Sequence, residues 1–266
     1  MTELSNHRAR KRFGQNFLVD EGIIAKIISA INPKPADNLI EIGPGQGALT
    51  APLLERNPGL TAIELDRDLE QLLARKFAHH NDFNLIQQDA LKFDFSTLNT
   101  RGPLRIVGNL PYNISTPLIF HLLSYQALIT DMHFMLQREV VERMAAEPGT
   151  KVYGRLSIIV QYHCKVDFLF DVPPESFFPA PKVDSAIVRL APYHRKPLQA
   201  DDPELFNNLV KLCFQQRRKT LRNNLKQLSG SYDVESLPFD LGRRPETLSL
   251  REFVDLSNQL AHQHEH

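Results

Sequence analysis

Four consecutive residues, Asn109-Leu110-Pro111-Tyr112, combine groups suited to chemistry on a flat, hydrogen-bonding ligand. The asparagine amide both donates and accepts, the proline stiffens the chain and removes a donor, and the tyrosine offers an aromatic face. A nucleobase is such a ligand. A plain strand-end turn uses the same residue types, so the tetrapeptide alone leaves both readings open. It follows the apolar run Leu104-Arg105-Ile106-Val107-Gly108. That run reads as a buried strand whose tip opens onto a site, because ligands of open α/β sheets lie beyond the carboxyl ends of the strands.

Three further groups fall at strand ends. Leu39-Ile40-Glu41-Ile42 reads as a strand, followed by the loop Gly43-Pro44-Gly45-Gln46-Gly47 and a helix beginning near Ala48-Leu49-Thr50. Glycines at alternate positions let backbone approach a ligand closely, and a helix start offers free amide donors. A nucleotide-like cofactor is implied, although this loop by itself does not choose between NAD and other adenosyl cofactors. The strand Leu60-Thr61-Ala62-Ile63 ends in Glu64, placed to accept from ribose hydroxyls. Asp66 reads as the cap of the next helix. The strand Asn84-Leu85-Ile86-Gln87-Gln88 runs into Asp89-Ala90, a second carboxylate, suited to an adenine amine. Each acid alone could be an ordinary loop residue. Their common phase is informative, since a parallel sheet gathers such ends at one edge.

The elements that must hold these groups are partly legible. Asp20 caps a helix with Ile23, Ile24, Ile27, Ile28 and Ile31 on one face, stopped by Asn32-Pro33. Thr116 and Pro117 open another, Met132 to Leu136 is a further strand, and a helix is expected from about Arg138 to Ala146. Two late strands are expected around Leu156-Val160 and Lys165-Phe170, forming an antiparallel edge. The stretch from Pro173 to Pro181 is too donor-poor for a central strand and should be a shaped loop presenting Phe177 and Phe178, either as plugs or for stacking. Ser185 to Leu190 closes this α/β domain.

A composition shift near Pro192 to Pro197 marks a linker. The expected division is therefore a cofactor-binding domain over residues 1–192, carrying a basic N-terminal arm, and a smaller helical domain over 193–266. In the latter, Gln215 to Lys226 reads as an amphipathic basic helix: Leu221, Leu225 and Leu228 share one stripe, while Arg218, Lys219, Arg222 and Lys226 gather on another arc. Charged stripes are usually solvated faces, but the lack of carboxylates from Gln215 to Ser231 favours a phosphate-binding surface. Ser249 and Glu252 form a capping box for the last helix. The arm, with Arg10, Lys11 and Arg12 before Phe13-Gly14-Gln15-Asn16-Phe17-Leu18, could clamp a ligand.

Composition sets the outer limits. The chain has 266 residues, a formal net charge of zero and two cysteines. Cys164 and Cys213 lie far apart without a histidine pattern and read as buried small hydrophobes, so neither disulfide nor metal site is expected. The polar, basic start lacks the apolar core of a secretory signal and no run is long enough to span a membrane, which predicts a cytoplasmic protein. Zero net charge argues against a uniformly basic nucleic-acid binder and confines that role to local patches. The terminal histidines, His262, His264 and His266, read as a frayed tail.

Taken together, the arm ending in Gly14-Gln15-Asn16-Phe17-Leu18, the Glu41 to Gly47 loop, Ile63-Glu64-Leu65-Asp66, Gln88-Asp89-Ala90, Gly108 to Asn113, the Phe177 to Val183 loop and Arg217-Arg218-Lys219-Thr220 resemble the bacterial 16S ribosomal RNA adenine dimethyltransferases over essentially the full length. The resemblance implies a Rossmann-like class I methyltransferase sheet, mostly parallel with an antiparallel edge, and a helical C-terminal RNA-binding domain. It implies S-adenosyl-L-methionine as cofactor, yielding S-adenosyl-L-homocysteine. Asn16, Leu18, Gly43, Gly45, Glu64, Asp89, Ala90 and Asn109 would line the cofactor site, with Glu64 on the ribose and Asp89 on the adenine amine. Asn109, Leu110, Pro111, Tyr112 and Phe177 would form the catalytic set. Two neighbouring adenosines of the 3′-terminal hairpin would be the targets, in 16S rRNA of the 30S subunit or its precursor. The expected state is a monomer, away from membranes.

Overall fold

The computed structural model describes residues 16–216 and 218–264. The chain runs β1 (Phe17–Leu18), α1 (Glu21–Ile31), β2 (Asn38–Ile42), α2 (Thr50–Arg56), β3 (Thr61–Glu64), α3 (Arg67–Lys76), β4 (Asn84–Gln87), β5 (Leu104–Asn109), α4 (Ser115–Leu123), β6 (Ile129–Gln137), α5 (Arg138–Met144), α6 (Arg155–His163), β7 (Cys164–Val172), β8 (Phe177–Phe178), β9 (Ser185–Pro192), α7 (Pro203–Cys213), α8 (Leu221–Leu225) and α9 (Leu250–Ala261). Seven strands form one sheet in the order β4-β3-β2-β5-β6-β9-β7, and β1 pairs with β8 in a separate two-stranded ladder.

Strands β4, β3, β2, β5 and β6 run parallel, and β9 is antiparallel to β6. Every residue of β2 is buried, as a strand covered on both faces requires. From β2 the chain winds outward through β3 to β4; from β5, β2's other neighbour, it winds the opposite way to β6. The strand order therefore reverses between β2 and β5, and connections leaving in opposite directions open a crevice above their carboxyl ends. The opposite edge is held by Arg105, whose guanidinium donates to Asp131 Oδ1 at 2.9 Å, Asp37 Oδ2 at 2.6 Å and the Ile31 carbonyl at 2.7 Å. This ties β5 to β6, to the turn before β2 and to the end of α1. Helix α1 begins as expected, Asp20 Oδ1 accepting from the Ile23 amide at 3.0 Å, and packs Ile27, Ile28 and Ile31 into the core.

The stretch expected as a strand at Leu156-Val160 is instead helix α6. Leu156, Ser157, Ile158, Ile159 and Val160 are all buried, and a helix buried all round shows no helical periodicity. Ser157 Oγ accepts from the Gly154 amide at 3.0 Å and starts the helix. The strand expected from Lys165 falls within β7. Helix α4 starts two residues earlier than expected, with Ile114 rather than Thr116 in the cap position.

The described residues divide into two compact units. One runs through Val141 and resumes at Asp167–Pro192; the other comprises Glu142–Val166 and the residues from Tyr193 onward. The segment 142–166, which a single cut after Pro192 assigns to the sheet domain, clusters with the later helices. Within that unit, Phe206 of α7 stacks on Tyr162 of α6 with ring centroids 4.4 Å apart, Phe214 meets Phe253 of α9, and Ser249 and Glu252 form the capping box. Both cysteines are buried thiols, and among the described residues no group of three or more metal-ligating side chains occurs. No described helix is long and apolar enough to cross a membrane.

The continuous basic helix expected over Gln215–Lys226 is broken. Helix α7 ends at Cys213, and α8 spans only Leu221–Leu225. Asn224 explains the break: its buried Nδ2 donates to the Cys213 carbonyl at 3.1 Å and to the Lys219 carbonyl at 3.4 Å, satisfying acceptors that a continuous helix would have used itself. Leu221, Leu225 and Leu228 are buried in line with the expected apolar stripe.

Candidate active site

The crevice above β2 and β5 holds a cavity of about 310 Å³, within the range of small-molecule sites. Its floor is the loop after β2. Gly43 (φ +68°) and Gly45 (φ +58°) adopt left-handed backbone that L side chains disfavour. A Cβ at Gly45 would touch the Phe17 ring, 3.4 Å away, at contact distance. The Gly43 amide donates to the Ile63 carbonyl at 3.0 Å, and Lys76 Nζ donates to the Gln46 carbonyl at 2.9 Å, so the loop is pinned at both ends. Beneath it, Glu41 is buried, and its Oε2 accepts from Thr50 Oγ1 at 2.7 Å, joining β2 to the first residue of α2. Burial pushes the Glu41 carboxyl up to about 7, with the Glu64 charge adding to the shift and Thr50 opposing it.

One wall carries two acids. Glu64 closes β3; its Oε1 accepts from the Asp66 amide at 2.9 Å and its Oε2 from the Gly45 amide at 3.3 Å. Burial raises its carboxyl above the ordinary range, against the pull of those backbone donors. Asp66 is the cap of α3, its Oδ1 accepting from the Asp68 amide at 2.9 Å. Asp89, half-buried beyond β4, accepts from the Leu91 amide at 3.0 Å. Because β3 pairs with β4 as far as Glu64 and Gln87, the two acids stand along one wall with Ile63, Leu65 and Ala90 between them. Two acceptors framing an apolar slot match the hydroxyl pair, ring and amine of a nucleoside.

The other wall is Asn109-Leu110-Pro111-Tyr112. Asn109 Nδ2 donates to the Asn16 carbonyl at 3.3 Å. A carbonyl can only accept, so the NH₂ end of the amide is committed there and the Oδ1 end is left to receive a donor. The Leu110 amide donates to the Met135 carbonyl at 3.2 Å, which fixes the peptide that precedes the Leu110 carbonyl. The Tyr112 hydroxyl shares a hydrogen bond with Ser185 Oγ at 2.9 Å, and Ser115 Oγ donates to the Tyr112 carbonyl at 3.2 Å. Burial raises the Tyr112 phenol above its usual range, keeping the ring neutral. Opposite stand Leu18 and Phe177, directly paired in the β1–β8 ladder and both buried.

All the residues expected at the cofactor and catalytic positions therefore line one cavity: Asn16, Leu18, Gly43, Gly45, Glu64, Asp89, Ala90, Asn109, Leu110, Pro111, Tyr112 and Phe177. Arg10, Lys11 and Arg12 lie outside the described residues. Arg218, Lys219, Arg222 and Lys226 are exposed on the helical unit, and Arg222 is ion-paired with Glu235. That acid sits beyond the carboxylate-free stretch and escaped the sequence reading. Also missed as site residues were Phe17, Leu65, Asn113 and Ile114, each lining the cavity. Phe17, Leu65 and Asn113 lie within recognised motifs and Ile114 directly follows one, so membership or adjacency was the available signal. The Glu41–Thr50 bond was signalled by a buried strand carrying a single acid.

The chain resembles proteins of known kind along almost its whole length. A family model described as ribosomal RNA adenine dimethylase matches residues 6–261. Ribosomal RNA small subunit methyltransferase A of Saccharophagus degradans is 62% identical over 258 residues, covering 97% of this chain and 96% of that protein. The protein of the same name from Pseudomonas aeruginosa is 59% identical over 262 residues, covering 98% of each. A dimethyladenosine transferase from Plasmodium falciparum, solved by crystallography, matches with a TM-score of 0.79 at 30% identity, covering 93% of this chain and 98% of that one. In this chain a glycine floor, two strand-end acids and an Asn-Leu-Pro-Tyr wall stand within a sequence match that spans both units, and the chain belongs to the ribosomal RNA adenine dimethylase family, with the fold of class I methyltransferases.

Proposed function

We propose that this protein dimethylates the N6 amines of two adjacent adenosines in the 3′-terminal hairpin of 16S rRNA, using S-adenosyl-L-methionine and acting as a cytoplasmic monomer on the 30S subunit or its precursor. The observation that carries the reading is the commitment of the Asn109 NH₂ to the Asn16 carbonyl, which leaves the amide oxygen as an acceptor on the wall facing the two acids. The residues present fit the cofactor. Gly43 and Gly45 keep the floor free of side chains, Glu64 would hold ribose hydroxyls, Asp89 the adenine amine, and Ile63, Leu65 and Ala90 the ring faces. When bound, S-adenosyl-L-methionine supplies an electrophilic sulfonium methyl.

The chain's own contribution is to aim the amine. An adenine amine is a poor nucleophile because its lone pair is delocalised into the ring. In the first transfer Asn109 Oδ1 and the Leu110 carbonyl accept its two hydrogens and turn the lone pair toward the methyl; in the second, one of them accepts the single N–H that remains. Pro111, with no N–H, removes a competing donor. Tyr112, held by Ser185, and Phe177 clamp the base plane, which must leave its stack to enter. No strong base is required, since the methylated amine is strongly acidic and its proton passes to bulk solvent once the product leaves the cavity. Positioning and exclusion of solvent supply the acceleration. The exposed Arg218 and Lys219 would contact phosphate.

The test is methyl transfer to unmethylated small-subunit particles, with the methylated positions mapped on the RNA. Asn109→Ala should keep RNA binding, measured by filter binding, and lose about 10²- to 10³-fold in kcat at saturating cofactor, the scale for removing one positioned polar group. Turnover like the wild type in that variant refutes the role given to Asn109; confirmed cofactor binding without transfer by the wild type refutes the activity.

A further inference from the structure

We infer that Phe178 is a second stacking platform, outside the cavity, for the nucleobase flanking the target adenosine. The inference rests on the RNA reading above. Phe178 is 73% exposed, the most exposed of the large apolar side chains described. A single exposed apolar residue is unremarkable on its own; the position of this one is what matters. Its neighbour Phe177 is buried and lines the cavity, and strand alternation turns the two rings to opposite faces of β8. Its cross-strand partner is Phe17, which also lines the cavity and lies against Gly45. Directly paired residues have Cβ atoms about 5 Å apart on the same side of a ladder, so Phe178 stands beside a residue of the cavity wall without entering the cavity itself.

A base drawn into the cavity carries its chain neighbours to the rim, each with a face from which it has been unstacked. A ring presented there offers that face a replacement, whatever the base, because every base has a π-face. Pro179 and Pro181 follow in the chain, and such a stiffened segment loses little conformational freedom on binding. Lys182, four residues beyond Phe178 and exposed, supplies a cation on the same segment for the phosphate of the flanking nucleotide. The site takes an unstacked nucleobase of any identity together with a phosphate.

Phe178→Ala, Phe178→Leu and Phe178→Tyr in the full-length protein provide the test. Three quantities are compared: the Kd for unmethylated small-subunit particles, kcat on the same particles, and the Kd for S-adenosyl-L-methionine. Alanine should raise the particle Kd about tenfold, toward the lower end of what base–aromatic stacking contributes. It should leave kcat and cofactor affinity within about twofold. Tyrosine should restore binding, and leucine, apolar but without a π-face, should not. An unchanged particle Kd in the alanine variant overturns the inference. So does rescue by leucine as complete as by tyrosine, which assigns the ring to an apolar protein contact. Loss of cofactor affinity also overturns it, assigning the ring to packing near Asn16. A wild-type protein that binds particles but transfers no methyl refutes the enzymatic reading, while the Kd comparison still decides the platform.

Discussion

Replacing Glu41 with glutamine isolates a charge buried under the cofactor loop. Glu41 is 2% exposed, and burial moves its carboxyl from the ordinary 4.5 to about 7. Between those values the folded protein keeps a proton that the unfolded chain has released. Stability conferred by the neutral acid is therefore complete below pH 4.5 and is lost progressively as pH rises to about 7. The interval, at about 1.36 kcal/mol per unit, comes to about 3 kcal/mol. Glutamine cannot ionise and keeps an oxygen for the Thr50 hydroxyl; its additional N–H needs an acceptor, a cost of about 1–3 kcal/mol that does not vary with pH. Urea unfolding of both proteins at pH 5 and pH 8 separates the two effects. The stability difference, Glu41→Gln minus wild type, should be more favourable at pH 8 than at pH 5 by up to about 3 kcal/mol. A difference constant across pH refutes the assignment, because every other titrating group is common to the two proteins.

Gly108→Ala should lower the thermal midpoint by several degrees: its Cβ would come within 2.5 Å of the Ile42 carbonyl oxygen and 3.0 Å of a Leu110 methyl. That overpacking costs about 1–3 kcal/mol, and an unchanged midpoint in a melting experiment counts against the clash. Substituting Arg218 or Lys219 by alanine should each reduce the slope of log Kd against log salt by about 1 in binding to small-subunit particles. Arg222→Ala should change it less, because Arg222 is already paired with Glu235; a full unit lost there reverses that ordering.

The strand-end groups were legible because local chemistry and phase agreed. Glycines needing positive φ, an acid ending one strand and another following the next carry their meaning in a few residues each. What escaped the sequence depended on tertiary partners. Leu156 to Val160 reads as a strand because it is short, mostly apolar and ends in the β-branched Ile158, Ile159 and Val160; only packing against α7 and α9 makes it α6. The basic segment reads as one helix because its charges and leucines fit that period, and the break depends on Asn224 reaching back to Cys213. The β1–β8 ladder joins segments from opposite ends of the first unit, and neither two-residue strand carries a signal of its own.

Bringing the glycine floor to the Asn109-Leu110-Pro111-Tyr112 wall is likewise a property of strand order. Gly43 opens the loop after β2 and Asn109 ends β5, and between β2 and β5 the chain makes two further strands. The sheet places β5 beside β2, pairing Glu41 with Val107, so that both loops leave the same edge side by side. The result is close: a Cβ on Gly43 would sit 3.6 Å from the Asn109 carbonyl oxygen. The two glycines thus act together. Gly108 has no Cβ to push β5 away from the Ile42 carbonyl, and Gly43 supplies the left-handed backbone, φ +68°, with which the floor turns out of β2. A site for moving one methyl group needs donor and acceptor walls within van der Waals reach of a single carbon. That closeness comes from the direct pairing of β2 with β5 and from the residues that have no side chain there.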